Sequence, residues 1–135
     1  RFLTEAGGER WRLKLAVAFQ MLFPGSPAVY YGEEIGMRGE NDPGCRAGMA
    51  WDHMDEELLA WTRRWIRFRR EHEVIRKGKY RTLLADRQKG LFVFERAAQG
   101  ERIAAVFNRS GQPQDFAATG GTVTVPAHAV EIIIS

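Results

Sequence analysis

The spacing of apolar positions changes at residue 78. Before it, apolar residues recur every three or four positions; after it, they alternate. Residues 8–23 predict a helix. Trp11, Leu15, Ala18, Phe19 and Leu22 share one face, and Leu13, Ala16, Val17 and Met21 add a second. A helix apolar on most sides is buried between other elements. Gly7-Gly8 leads into it, Glu9 suits the positive end of its dipole, and Pro24-Gly25 ends it. Residues 27–31, Pro-Ala-Val-Tyr-Tyr, predict a short apolar strand, with Pro27 at the first position, where proline is tolerated. A helix followed closely by such a strand belongs to an alternating pattern with a parallel sheet. Only one strand of this kind is present, so its partners are expected outside these residues. Residues 32–53 form a long loop rich in Gly, Asn, Asp and Pro, and loops of that length are more often functional than not. Residues 54–76 predict a second helix. Asp52 or Asp55 stands near its N-cap, Leu58, Trp61, Trp65 and Phe68 form its stripe, and Lys77-Gly78 closes it.

Beyond residue 78 the period of two predicts strands at 79–85, 91–96, 102–107, 114–118, 121–125 and 129–134, separated by Gly- and Asn-containing turns. Six short strands in close succession predict a small antiparallel sandwich. The fold class is therefore α+β, divided into residues 1–77 and 78–135.

Composition changes this picture little. The 135 residues are 44% hydrophobic and 27% charged, which is ordinary globular usage. The net charge of +3 is a weak steering field for a nucleic acid. The densest basic run, Arg63 to Lys79, is interleaved with Trp65, Ile66 and Phe68, so it reads as the polar face of an amphipathic helix. No nucleic-acid partner is expected. The longest apolar run, Leu13 to Pro24, is interrupted by Lys14 and Gln20 and is too short to span a bilayer. The single cysteine, Cys45, permits no internal disulfide, and nothing reads as a signal peptide, so a cytoplasmic location is expected. The chain opens on Arg1 rather than Met, as expected of a piece of a longer protein.

Phe23-Pro-Gly-Ser-Pro-Ala-Val-Tyr-Tyr-Gly-Glu-Glu-Ile-Gly-Met37 resembles the eighth barrel strand of α-amylase-type glycoside hydrolases. Gly39-Glu-Asn-Asp-Pro-Gly-Cys-Arg46 and Met49-Ala-Trp-Asp52 resemble the following loop in the neopullulanase, cyclomaltodextrinase and maltogenic amylase branch. The helix from Asp55 is similar to the last barrel helix. Leu91-Phe-Val-Phe-Glu-Arg96 and Val106-Phe-Asn108 are similar to the β domain behind the barrel. The resemblance covers nearly the whole chain. It implies the last helix–strand–helix of a (β/α)8 barrel followed by a small antiparallel sandwich. It also implies a retaining hydrolase of α-1,4, or of both α-1,4 and α-1,6, glucosidic bonds in maltooligosaccharides, cyclodextrins or pullulan; the residues themselves lead us to expect no cofactor and no metal. Retaining hydrolysis needs two carboxylates about 5 to 5.5 Å apart. In the family these follow earlier strands, so no catalytic residue is expected in this chain, and alone it is expected to be inactive.

Asp42 and Arg46 match family positions that hydrogen-bond sugar hydroxyls on the non-reducing side of the cut. A carboxylate accepts from two hydroxyls, and a guanidinium offers a fork of donors. The competing reading is purely structural: an Asx-turn at Asp42-Pro43 and an Asp42–Arg46 ion pair. Glu33 and Glu34, adjacent on a strand, would point to opposite faces and cannot serve one glycosidic bond together. One is expected to brace the loop and the other to be solvated. Tyr30, Tyr31 and Trp51 have the ring faces for stacking on sugars, but core packing is the expected role of each. His53, His72 and His128 are scattered, and with one cysteine they form no zinc constellation. Ser26 and Ser110 have no neighbouring base. The lone barrel strand and apolar helix predict self-association through open edges. A function of another class, a sugar-binding or interaction module on the sandwich, needs exposed aromatics there. Tyr80, Phe92, Phe94, Phe107 and Phe116 mostly fit inward alternation instead.

Overall fold

In the computed structural model, which describes residues 1–135, the change of period marks the change from helices to strands. A single helical turn, α1 (Phe2–Glu5), precedes α2 (Arg10–Leu22). Between them Gly7 and Gly8 take φ of 70° and 76°, a left-handed path that favours glycine. α2 buries Leu13, Ala18, Met21 and Leu22. The second helical segment is two helices rather than one: α3 (Glu56–Glu71) and α4 (Glu73–Lys77). Asp55 caps α3, its carboxylate accepting from the Leu58 amide at 3.0 Å. The break falls at His72, in extended conformation. Bending there lets Val74 and Ile75, both almost fully buried, reach the core over the sheet. His72 Nδ1 lies 2.8 Å from Glu101 Oε1, which ties the break to the sheet.

The predicted strand at 27–31 does not form. Residues 26–30 carry no regular structure and pair with no other strand of this chain. An extended segment becomes a strand only when a neighbour satisfies its amides and carbonyls.

All six later strands form: β1 (Lys79–Asp86), β2 (Leu91–Ala98), β3 (Glu101–Asn108), β4 (Gln114–Ala118), β5 (Gly121–Val125) and β6 (Ala129–Ile134). They make an antiparallel sheet of order β1-β2-β3-β6 and a separate β4-β5 ribbon. A bulge between Thr82 and Leu84 ejects Leu83 toward solvent. Alternation divides the sheet's two faces. Phe94, Ile103, Ala105, Phe107 and Val130 point to the helices and join Ala18, Met21, Leu22, Trp65, Val74 and Ile75 in the largest core cluster. Leu91, Val93 and Val106 point the other way and pack with Val125 of the ribbon, beside Phe116 and Val123. The expected sandwich thus has a second layer only two strands wide, with helices on the opposite face. Asn108, fully buried, donates to the carbonyls of Gln112, Val125 and Pro126, and it accepts from Ser110. No helix is long and apolar enough to cross a membrane.

α2 and α3 pack side by side, and polar contacts complete the junction. Arg69 donates to the carbonyl of Met21, an orphan acceptor in the last turn of α2, and to those of Phe23 and Gly25 just beyond it. One member of the basic run therefore caps a neighbouring helix, while Arg63, Arg67 and Arg70 face solvent as a polar surface does. Burial first, and then the nearby Arg76 charge, lower the Arg69 pKa from its ordinary value.

Candidate functional site

Residues 32–53 run as a loop with two short 3₁₀ turns, at Glu33–Ile35 and Gly44–Arg46. The second turn carries Arg46, and Asp42 lies two residues before it. Arg46 Nη2 meets Asp42 Oδ2 at 2.9 Å, so the two are brought together. The other carboxylate oxygen, Oδ1, accepts from Cys45 Sγ at 3.0 Å. That bond, then burial, raises the Cys45 pKa, because ionising the thiol would remove the donor and place two negative charges together. No Asx-turn forms at Asp42-Pro43, whose peptide bond is cis; instead the Cys45 amide donates to the Asn41 carbonyl at 3.1 Å. The ion pair is exposed, with 58% of the Asp42 side chain and 71% of the Arg46 side chain in solvent. An exposed pair of this kind contributes little stability. It does present free carboxylate lone pairs beside free guanidinium N–H groups, a surface matched to vicinal hydroxyls.

The Gly39–Ala47 part of the loop is held at one end by Thr4 and Arg1, which the sequence pattern did not single out, and at the other by Tyr31, which it considered only for ring stacking or core packing. The Gly39 amide donates to Thr4 Oγ1 at 2.9 Å, and the Arg1 backbone nitrogen donates to the Gly39 carbonyl at 2.8 Å. At the far end, the Tyr31 hydroxyl donates to the Ala47 carbonyl at 3.0 Å. Thr4 and Arg1 lie in a short apolar-polar stretch without periodicity, and their partners are more than 30 residues away. No local signal marks them.

Glu33 and Glu34 lie in the first 3₁₀ turn, not on a strand, so the alternation argument does not apply to them. Glu33 Oε1 accepts from the Phe2 amide at 3.1 Å and braces α1, as expected of one of the pair. Glu34 is half-buried with one carboxylate oxygen lacking a partner, not freely solvated. The three ring candidates are not core residues of this chain: Tyr30, Tyr31 and Trp51 are 46%, 41% and 70% exposed. The Arg1 guanidinium carbon sits 4.8 and 4.7 Å from the Tyr30 and Tyr31 ring centroids, so the rings enclose a cation on one side. Of the scattered histidines, His72 pairs with Glu101 and His128 stacks on Trp11 at 3.9 Å. Both join the helices to the β region.

No protein-family profile matches the chain. Among curated proteins, neopullulanase 2 of Thermoactinomyces vulgaris is 39% identical over 84% of this chain and 20% of its own length. A cyclomaltodextrinase from a Bacillus species is 38% identical over 80% of this chain and 20% of its own length. Among solved structures, the cyclic α-maltosyl-(1→6)-maltose hydrolase of Arthrobacter globiformis superposes with a TM-score of 0.92 at 27% identity. That match covers all of this chain and 32% of the other. The chain therefore spans about a fifth of the length of the curated relatives it matches.

Proposed function

The chain belongs to the α-amylase-type glycoside hydrolases, in the branch of neopullulanases, cyclomaltodextrinases and maltogenic amylases, and from this we infer that it serves a retaining α-glucan hydrolase. Its substrates are maltooligosaccharides, cyclodextrins or pullulan, cut at α-1,4 bonds, with α-1,6 bonds a second linkage to test. Residues 1–77 supply the last helix–strand–helix of the (β/α)8 barrel, with residues 27–31 as its eighth strand once neighbours flank them. Residues 78–135 form the β domain behind it. The shared core of α2, α3, α4 and the sheet supports a rigid junction between the two. A cytoplasmic location agrees with the single unpaired cysteine.

The observation that carries the site reading is the exposed Asp42–Arg46 pair on the loop after residues 27–31. Loops at the C-terminal ends of barrel strands hold the substrate in this architecture. Asp42 accepts from sugar hydroxyls and Arg46 donates to them, on the non-reducing side of the cut. The nucleophile and the general acid belong to earlier strands, so this chain alone does not turn over substrate. The test compares the 135-residue chain with the protein encoded by the gene extended to its start codon, on maltotriose and β-cyclodextrin. Only the extended protein is expected to cut. In it, Asp42→Ala is expected to raise the KM for maltotriose by about tenfold or more, since a lost hydrogen bond to a charged group is worth about 1.5–3 kcal/mol. Cleavage by the short chain would place catalysis within residues 1–135 and overturn the assignment.

A sugar-binding module on the β region has less support. Phe94 and Phe107 are buried, and Tyr80 packs on Phe23 and Phe94, so no aromatic platform is presented there.

A further inference from the structure

We propose that Thr4 and Tyr31 are positioning residues that hold the two ends of the Gly39–Ala47 segment, so that Asp42 and Arg46 meet the sugar in one geometry. The proposal rests on the sugar-contact reading of those two residues.

Within the segment the hydrogen bonds are local. The amides of Cys45, Arg46 and Ala47 bond to Asn41, Pro43 and Gly44, and Asp42 bonds to Cys45 and Arg46. Such bonds give the turn a shape but do not fix its place on the molecule. Asp42, Pro43, Gly44, Arg46 and Ala47 are all exposed, so packing does not fix it either. Long-range anchors must do so, and they fall at the two ends. Thr4 Oγ1 takes the Gly39 amide at 2.9 Å across 35 residues, and the Tyr31 hydroxyl reaches Ala47 at 3.0 Å.

Gly39 transmits the anchor. A Cβ there would stand 2.7 Å from the Gly44 carbonyl oxygen and 2.8 Å from Cys45 Cα. The backbone of residue 39 thus lies directly against the turn that carries Arg46, and a shift of one moves the other. A helical threonine commonly turns its hydroxyl back to its own helix. Here that oxygen accepts from another element, so α1, only four residues long, contributes a side chain to the loop. Tyr31 supplies the other anchor from the segment leading into the loop. Misplacing a substrate contact by about 1 Å can cost on the order of 100-fold in rate, so holding this loop has functional leverage.

The experiment uses the start-to-stop enzyme with Thr4→Val, Thr4→Ser, Tyr31→Phe and Asp42→Ala. Each is assayed on maltotriose and on p-nitrophenyl α-glucoside, whose one sugar leaves the further subsite empty. Thr4→Val and Tyr31→Phe are each expected to raise the KM for maltotriose by about 3- to 10-fold, the worth of one neutral hydrogen bond. Thr4→Ser, which keeps the acceptor, is expected to restore it. The KM for the aryl glucoside is expected to stay within about twofold. As a second readout, Thr4→Val should speed hydrogen exchange of the Gly39 amide in the same start-to-stop enzyme. If Thr4→Val and Tyr31→Phe leave maltotriose kinetics unchanged while Asp42→Ala impairs them, the anchoring proposal falls and the sugar reading stands. If Asp42→Ala is also silent, the sugar reading falls and takes the proposal with it. Equal losses on both substrates would mark a general stability effect and also overturn it.

Discussion

Glu57 shows how one side chain couples two helices. Its carboxylate takes Arg10 Nη2 at 2.6 Å and bonds to Lys14, both on α2, while Glu57 itself sits in the first turn of α3. The Lys14 hydrogen bond first, and Arg10 second, hold the Glu57 pKa below the ordinary carboxylate value. A depressed carboxylate stabilises the fold above its unfolded pKa, and the contribution is lost as pH falls through the lower, folded value. Glu57→Gln is therefore expected to lower Tm at pH 7, with the gap closing below about pH 4. Thermal melts of both proteins across that range provide the check. A gap unchanged at low pH would mean that the charge is irrelevant. Added salt is also expected to narrow it, because the side chain is mostly exposed. The pattern around Asp42 and Arg46 was readable because it lies within five residues. The Lys14–Glu57 contact was not, since nothing local links residues 43 positions apart.

At the scale of elements, Gly78 separates the helices from the sheet in a way its sequence position does not reveal. Lys77-Gly78 reads as a helix stop through a left-handed glycine, yet Gly78 has φ −65° and ψ 157°, ordinary extended backbone. It is glycine for space. A Cβ would lie 2.4 Å from the Val74 carbonyl oxygen and 2.9 Å from Val74 Cγ2. Gly78→Ala is expected to destabilise by roughly 1–3 kcal/mol through forced backbone movement, seen as a lower urea midpoint without a change of slope. A neutral Gly78→Ala would mean that α4 has room to shift. The same scale explains the two departures of structure from pattern. Periodicity carried straight through His72 because Val74 and Ile75 are apolar in either arrangement, and the bend appears only when they have a sheet to meet. Residues 27–31 have strand composition but no strand, because composition supplies no hydrogen-bonding partner.

At the scale of the whole molecule, the principal core crosses residue 78. α2 contributes Ala18, Met21 and Leu22, and the sheet contributes Phe94, Ile103 and Phe107. Helices and β region are therefore expected to melt together. The opposite side is less complete. Phe2, Val29, Tyr30, Tyr31 and Trp51 all remain exposed, and residues 26–30 are extended backbone that pairs with no strand. A surface of that kind is self-adhesive. The 135-residue chain is expected to self-associate, with the weight-average mass in sedimentation equilibrium rising with concentration. The protein extended to its start codon is expected to lack this behaviour at matched concentration. A short chain that stays monomeric throughout would show that the exposed face is not adhesive.

What the sequence determined by itself is what depends on near neighbours. Alternation located six strands to within a residue or two, because inward and outward side chains must alternate on a pleated surface. Three- and four-residue spacing located α2 and α3, while Asp42 and Arg46 were marked by the resemblance of residues 39–46 to the loop of a known family. Only the tertiary structure decided which faces meet: helices on one side of the sheet, a two-strand ribbon on the other. It also decided that Arg69 caps another helix and that Thr4 and Tyr31 hold the loop carrying Asp42. Those contacts join residues 16 to 48 positions apart. Such pairings arise when apolar faces are buried against one another, and no periodicity along the chain encodes them.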